Sequence, residues 1–281
     1  MTMIDAHQHF WRVDRGDYGW LTPALGPIHR DFDPRDLQPF LARHGIGRTI
    51  LVQAAPTVAE TEFMLAAAAD AGMVAGVVGW VDFESDDAPG QIERLARHDL
   101  LVGLRPMVHD IPDDEWLARA PIDRAVDAMK AHGLVFDALV KPQHLAALLR
   151  FAERHRDLAI VIDHLAKPPI AARGLDPWRS GMSALAGHAH IACKLSGMVT
   201  EASADWTLDD LRPYVDHAMT IFGAERMLWG SDWPVVDLAG GYDRWREASL
   251  ALLAGLDVEA RANVLGRNAE RIYLSKRGRR A

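Results

Sequence analysis

His7 and His9 stand one residue apart in "MIDAHQHFW", close to the start of the chain. On a strand, side chains alternate faces, so positions i and i+2 point the same way and two imidazoles can converge on one ion or one substrate atom. Taken alone, such a pair also fits an ordinary surface network. Other short apolar runs carry polar residues at the same place: Gln53 ends "RTILVQAA", Arg105 lies in "LVGLRPMV", Asp163 and His164 end "LAIVIDHLA", Lys194 and Ser196 lie in "HIACKLSG", and Ser231 and Asp232 follow "RMLW". Gathering three imidazoles and a carboxylate at one buried mouth is costly unless they pair, hold an ion or do chemistry.

The elements that must position these residues are eight runs rich in Val, Ile and Leu: "MIDAH", "RTILVQAA", "VAGVVGWVD", "LVGLRPMV", "LVFDALV", "LAIVIDHLA", "HIACKLSG" and "RMLWGSDWP". Between them lie segments of helical periodicity, such as Leu37, Phe40 and Leu41, or Leu145, Leu148, Leu149 and Ala152. Near-continuous apolar strands suit a parallel sheet covered on both faces, and eight of them alternating with helices predict an α/β fold, a closed (β/α)8 TIM barrel. No Pro/Gly/Ser-rich linker divides the chain, so residues 1–281 are expected to form a single barrel domain. In such a barrel the C-terminal strand ends carry the chemistry, which is where the polar residues fall. The stretch 12–33, a long run of turn residues and aromatics after the first strand, is expected to be a binding loop over that mouth. Two helical stretches after the eighth strand complete the outer ring and add a closing helix.

With 49% hydrophobic residues and a net charge of -8, the chain has a sizeable core and lacks the basic footprint of a nucleic-acid or anionic-membrane binder. The basic ending "SKRGRRA" is short and reads as a solvated tail. Cys193 is the only cysteine, so no internal disulfide forms, and neither a signal peptide nor a membrane span is evident. A cytoplasmic protein is expected.

The motifs "DAHQHFW", "VIDHLAKP", "CKLSG" and "RMLWGSDWP", with "GRNAERIYL" near the end, resemble the amidohydrolase superfamily. Within it they resemble the amidohydrolase-2 group of sugar lactonases and the pyrone dicarboxylate lactonase. The resemblance spans the chain. It implies hydrolysis of a small sugar lactone, such as L-fucono-1,5-lactone or a close relative in L-fucose catabolism. Asp232 would be the general base toward the attacking water, with His7, His9 and His164 as the other catalytic residues. It also implies a possible single Zn2+ held by His7, His9 and Asp232. Metal-dependent members add a strand-five histidine, whereas here that strand reads "LVFDALVK" with Asp137 and Lys141, so a metal is not expected to be strictly required.

For the substrate, Trp11, Trp20, Trp80 and Trp233 offer flat faces to a sugar ring, and His29, Gln53 and Ser196 can meet hydroxyls. Arg105 and Lys141 join Trp11, Trp233, His29, Gln53 and Ser196 as candidate substrate-binding residues. The cations placed at the mouth, Arg105 and Lys194 with Arg30 and Lys167, are few for a dicarboxylate, which favours a neutral polyhydroxy lactone. Two alternatives are a metal-dependent decarboxylase of the same group and a non-catalytic barrel that binds sugar acids.

Overall fold

The computed structural model describes residues 2–275, so the basic run at 276–281 lies outside the described residues. Eight strands form one parallel sheet in chain order: β1 Met3–Gln8, β2 Ile46–Val52, β3 Val74–Gly79, β4 Leu101–Leu104, β5 Val135–Ala138, β6 Ile160–Ile162, β7 Ile191–Leu195 and β8 Met227–Trp229. Each falls on one of the eight apolar runs. Helices α1 Pro34–His44, α2 Val58–Asp70, α3 Ala88–Leu95, α4 Asp123–His132, α5 Leu145–Arg154, α6 Trp178–Ala186, α7 Leu208–Phe222 and α8 Gly241–Leu252 alternate with the strands, followed by a short α9 at Val258–Ala262. This is the (β/α)8 barrel that the alternation predicts. No helix among the described residues is long and apolar enough to cross a membrane.

The strands are apolar on both faces because both are covered. Ile160 and Ile162 of β6 pack outward into the helix-facing core, while Val161 between them joins Val52, Val78, Val135, Ala192 and Leu228 inside the barrel. The starts of α1 and α2 are capped by side chains: Asp33 accepts from the Arg35 N–H at 2.7 Å and Thr57 from that of Glu60 at 3.1 Å. After α9 the chain makes two π-helical turns, Asn263–Arg267 and Glu270–Leu274. The second does not join the outer ring. It sends Tyr273 into the barrel interior, where the ring is buried among the inward-facing aliphatics.

The barrel closes between β1 and the end of β8 through backbone and side-chain hydrogen bonds. The Asp232 N–H donates to the His7 carbonyl at 2.8 Å and the His9 N–H to that of Trp233 at 2.7 Å. Fully buried Asp5 completes the seam: it accepts from the Ser231 N–H at 2.8 Å, the His7 N–H at 3.2 Å and the Tyr242 hydroxyl at 3.1 Å. Burial pushes the Asp5 carboxyl up to about 6 even though all three donors favour its ionised form. Asp5→Ala should therefore strand three buried donors and lower stability by about 2–4 kcal/mol, on the scale of unmade buried hydrogen bonds. Denaturant unfolding reads this directly, and an unchanged midpoint would remove Asp5 from the closure.

Candidate active site

His7 reaches the barrel interior only because β1 is irregular. Ile4 faces inward and Asp5 outward, so strict alternation would turn His7 toward the helices. The pairing of β1 with β2 slips between Asp5 and Gln8, where Asp5 is opposite Thr49 and Gln8 opposite Leu51. Three steps on one strand against two on the other is a bulge, a device that re-aims side chains beside active sites. Past the bulge His7 and His9 share the inner face, and Gln8 between them bonds outward to Thr49 Oγ1 at 3.1 Å.

Asp232 approaches from the end of β8, and three imidazoles converge on its Oδ1: His9 Nε2 at 3.2 Å, His7 Nε2 at 3.6 Å and His164 Nε2 at 3.8 Å. Asp232 and His164 both have left-handed backbones, at φ 60° and 52°, and in the second case Leu165, Ala166 and Lys167 continue with φ of 52°, 58° and 50°. A left-handed residue other than glycine costs about 1–2 kcal/mol, so this turn is held by its surroundings. Trp178 Nε1 donates to the Leu165 carbonyl at 2.6 Å, and His164 Nδ1 meets Ser196 Oγ at 2.9 Å. Gly197, at φ 58°, lies so close to the His164 ring that any Cβ there would collide with it.

Beneath the three imidazoles is a buried network of charges. Asp163 accepts from Arg105 Nη1 at 3.0 Å and lies 3.0 Å from Lys194 Nζ, which in turn pairs with Asp137 at 2.5 Å. Burial opposes ionisation of Asp163, but Lys194, then His7 and Arg105, hold it well below the usual carboxylate range. His7 has Lys194 Nζ 3.2 Å from Nδ1 and Arg105 Nη1 3.3 Å from Nε2. Burial, reinforced by Lys194 and His164, keeps its pKa well below that of a free imidazole. Gln53 serves the same network: its carbonyl and Oε1 accept from Arg105 Nη2, the latter at 3.1 Å, and its amide donates to the Arg105 carbonyl at 3.0 Å.

Above lies a cleft of about 260 Å3, lined by His9, Arg105, His164 and Asp232 on its floor, with Trp20 and Leu25 from the loop at 12–33 and His109 and Lys167 on other sides. Of the residues expected at the mouth, His7, His9, His164, Asp232 and Arg105 are brought together. Gln53 and Ser196 are fully buried behind them, steering Arg105 and His164 instead of lining the cleft. Trp11 and Trp233 are also buried, packed against Phe32 with ring centroids 5.5 and 5.1 Å away, so they support the loop and do not present a face to the cleft. Lys141 donates to the His109 carbonyl at 3.1 Å, and neither it nor His29 is among the lining residues. Trp80 lines an adjoining pocket, with Trp20 shared between the two. His109 directly follows the run "LVGLRPMV" but lies past Pro106 in a loop turn beyond the end of β4, so its place at the cleft is not marked by a strand end.

The donor set fits a single divalent ion. His9 Nδ1 lies 2.7 Å from the Val52 carbonyl, which only accepts, so that nitrogen carries a proton and Nε2 turns toward the Asp232 carboxylate. A lone pair facing a carboxylate oxygen at 3.2 Å needs a proton or a cation between them. Donors bound tetrahedrally at about 2.0–2.1 Å stand about 3.3 Å apart, close to the 3.2 and 3.6 Å that separate Asp232 Oδ1 from His9 Nε2 and His7 Nε2, and all three ligand atoms lie within 4.8 Å of one another.

Comparison with known proteins adds to this geometry. Residues 4–274 match the model of the amidohydrolase family. The chain is 48% identical over 276 residues to an L-fucono-1,5-lactonase of Burkholderia ambifaria, covering 96% of this chain and 94% of that one. It is 38% identical over 270 residues to an L-fucono-1,5-lactonase of Burkholderia multivorans, covering 88% and 90% respectively. A crystal structure of an amidohydrolase from Burkholderia multivorans with bound zinc superposes with a TM-score of 0.91 at 35% identity, over 97% of this chain and 99% of that one.

The charge states set an expectation for pH. Burial disfavours ionisation of Asp232, yet His164, His9 and His7 around it hold its pKa far below the normal carboxylate value. Burial lowers His164 to about 4. A depressed carboxylate stays ionised until strongly acidic pH, and a depressed imidazole stays neutral until pH falls to its folded value. Any activity that uses the pair should therefore be level from pH 8 to about 5 and decline below that. A kcat/KM profile that instead bends near 6.5, the pKa of an ordinary histidine, would contradict the neutral His164.

Proposed function

The chain belongs to the amidohydrolase family, and from that premise we propose that it hydrolyses a six-carbon sugar lactone, L-fucono-1,5-lactone or a close relative, to the open-chain sugar acid. The observation that carries this reading is the Asp232 carboxylate at the floor of the cleft, with three imidazoles converging on its Oδ1. The two curated lactonases, at 48% and 38% identity, supply the substrate class.

A lactone is already a good electrophile, so turnover needs a positioned water, a stabilised carbonyl oxygen and a proton for the departing ring oxygen. Asp232 takes a proton from water as that water attacks the carbonyl carbon. The C–O bond to the ring oxygen then breaks, and the proton held by Asp232 passes to the leaving alkoxide. Arg105, fixed by Gln53 and Asp163, is the cation at the cleft floor suited to the developing oxyanion. His164 is kept neutral and oriented by Ser196, so it contributes a directed imidazole without a competing charge. Trp20 and Leu25 give the sugar an apolar wall, and Lys167 and His109 offer polar contacts to its hydroxyls.

His7, His9 and Asp232 would hold a divalent metal, Zn2+ by donor type, which when bound supplies Lewis-acid polarisation and a more acidic water. The proton transfers from water to Asp232 and on to the ring oxygen use groups of the chain alone. Lys194 and Arg105 already press on both His7 nitrogens, which weakens His7 as a ligand.

Purified protein should acidify weakly buffered L-fuconolactone or L-rhamnonolactone, and Asp232→Asn should cut kcat by at least about a hundredfold, the scale of general-base loss. No acid release above the spontaneous rate across a panel of such lactones would defeat the functional reading. A near-normal rate in the variant would remove Asp232 from the chemistry. Prolonged chelation should leave most of the activity intact. A dead chelated enzyme revived by one equivalent of zinc would show the metal to be essential.

A further inference from the structure

Asp137 and Tyr273 take no part in the chemistry above, yet both are buried beneath it. Tyr273 is 3% exposed and enters from the base of the barrel on the chain's last described turn, 136 residues beyond Asp137 in sequence. Its hydroxyl lies 2.8 Å from Asp137 Oδ1 and 2.9 Å from Oδ2. Asp137 Oδ2 holds Lys194 Nζ at 2.5 Å, with the same ammonium 3.0 Å from Asp163 Oδ1 and 3.2 Å from His7 Nδ1. The Lys194 ammonium also lies 5.4 Å from the centre of the Tyr273 ring, within cation–π range. A single hydrogen-bonded line thus runs from the floor of the barrel to an imidazole at its mouth.

We propose that Tyr273 is a positioning residue for the reaction, acting through Asp137 and Lys194 to fix Asp163 and the His7 ring against Asp232. This rests on the lactonase reading for its kinetic arm only. Lys194 hydrogen-bonds Asp137 and His7 and is ion-paired with Asp163, whose Oδ1 lies 3.0 Å away. Its place among them depends on how strongly Asp137 pulls. While the tyrosine hydroxyl satisfies the carboxylate from below, Asp137 shares the ammonium with the other two. Without that hydroxyl Asp137 keeps one buried donor, Lys194. The ammonium should then shift toward Asp137 and away from Asp163 and His7. An uncompensated buried carboxylate is a steep driving force for such a shift, and nothing else among the described hydrogen bonds replaces the lost donor.

Tyr273→Phe keeps the ring and its packing in the interior and deletes only the oxygen. Measured on the full chain, kcat should fall by ~10–30-fold, the range for losing an outer partner of an active-site imidazole, with KM within ~twofold. In a Lys194→Met background, where the line is already cut, adding Tyr273→Phe should change kcat by less than ~twofold. Lys194→Leu, which likewise removes every donor, serves if the methionine variant fails to fold. Independently of any activity, the ring-nitrogen resonances of His7, assigned by their loss in His7→Asn, should move in Tyr273→Phe. A kcat within ~twofold of wild type with unmoved His7 resonances would overturn the proposal, as would a full multiplicative loss in the Lys194-substituted background. If the wild-type chain shows no lactone hydrolysis, the lactonase reading fails while the resonance shift still tests the positioning line.

Discussion

The rest of the structure serves one unfavourable arrangement: a carboxylate, Asp232, kept ionised at the buried end of β8 with three imidazole nitrogens within 3.8 Å of one oxygen. Burial alone would protonate that carboxylate. Each imidazole around it is aimed by a separate device. His9 is fixed by the Val52 carbonyl, His164 by Ser196 on a left-handed turn, and His7 by a bulge in β1 with Lys194 and Arg105 against its nitrogens. The strained backbones at Asp232 and His164 to Lys167 fall at this mouth, where a rigid barrel can hold them.

That arrangement also accounts for the balance of charge below it. Two carboxylates, Asp137 and Asp163, face two cations, Lys194 and Arg105, with every member 3% exposed or less. Such a cluster is weak evidence for stability, since taking four charges out of water is expensive and the pairing only offsets the cost. Its value lies in orientation. Arg105 is fixed by Gln53 on one side and by Asp163 and His7 on the other, which holds its guanidinium rigidly at the cleft floor. On β5, Asp137 is engaged with Lys194 and Tyr273 and is no free metal ligand.

Much of the fold is legible because a parallel barrel needs continuous apolar strands, and the eight runs meet that demand without competing patterns. His7, His9, His164, Arg105 and Asp232 are legible because an ionisable residue that ends a buried apolar run must be paired, ligated or used in chemistry. The bulge is not: it arises from the mismatch between two strands, and nothing in "MIDAHQ" alone marks it. Trp11 and Trp233 read as sugar platforms in the sequence because an aromatic beside a strand end looks the same there whether it faces a cleft or packs under a loop. Gln53 and Ser196 belong to the mouth by their strand positions but lie one layer behind it. Tyr273 is hidden most completely, since its partner Asp137 is more than a hundred residues away and only the closing turn brings them together.

A single turnover of enzyme in excess over lactone, run in water enriched in oxygen-18, tests most directly whether Asp232 activates water. If it does, the first product formed carries one heavy oxygen in its new carboxylate and Asp232 itself remains unlabelled. An unlabelled first product together with heavy oxygen in the Asp232 side chain would show that the carboxylate attacks the lactone itself, and its role as general base would be wrong.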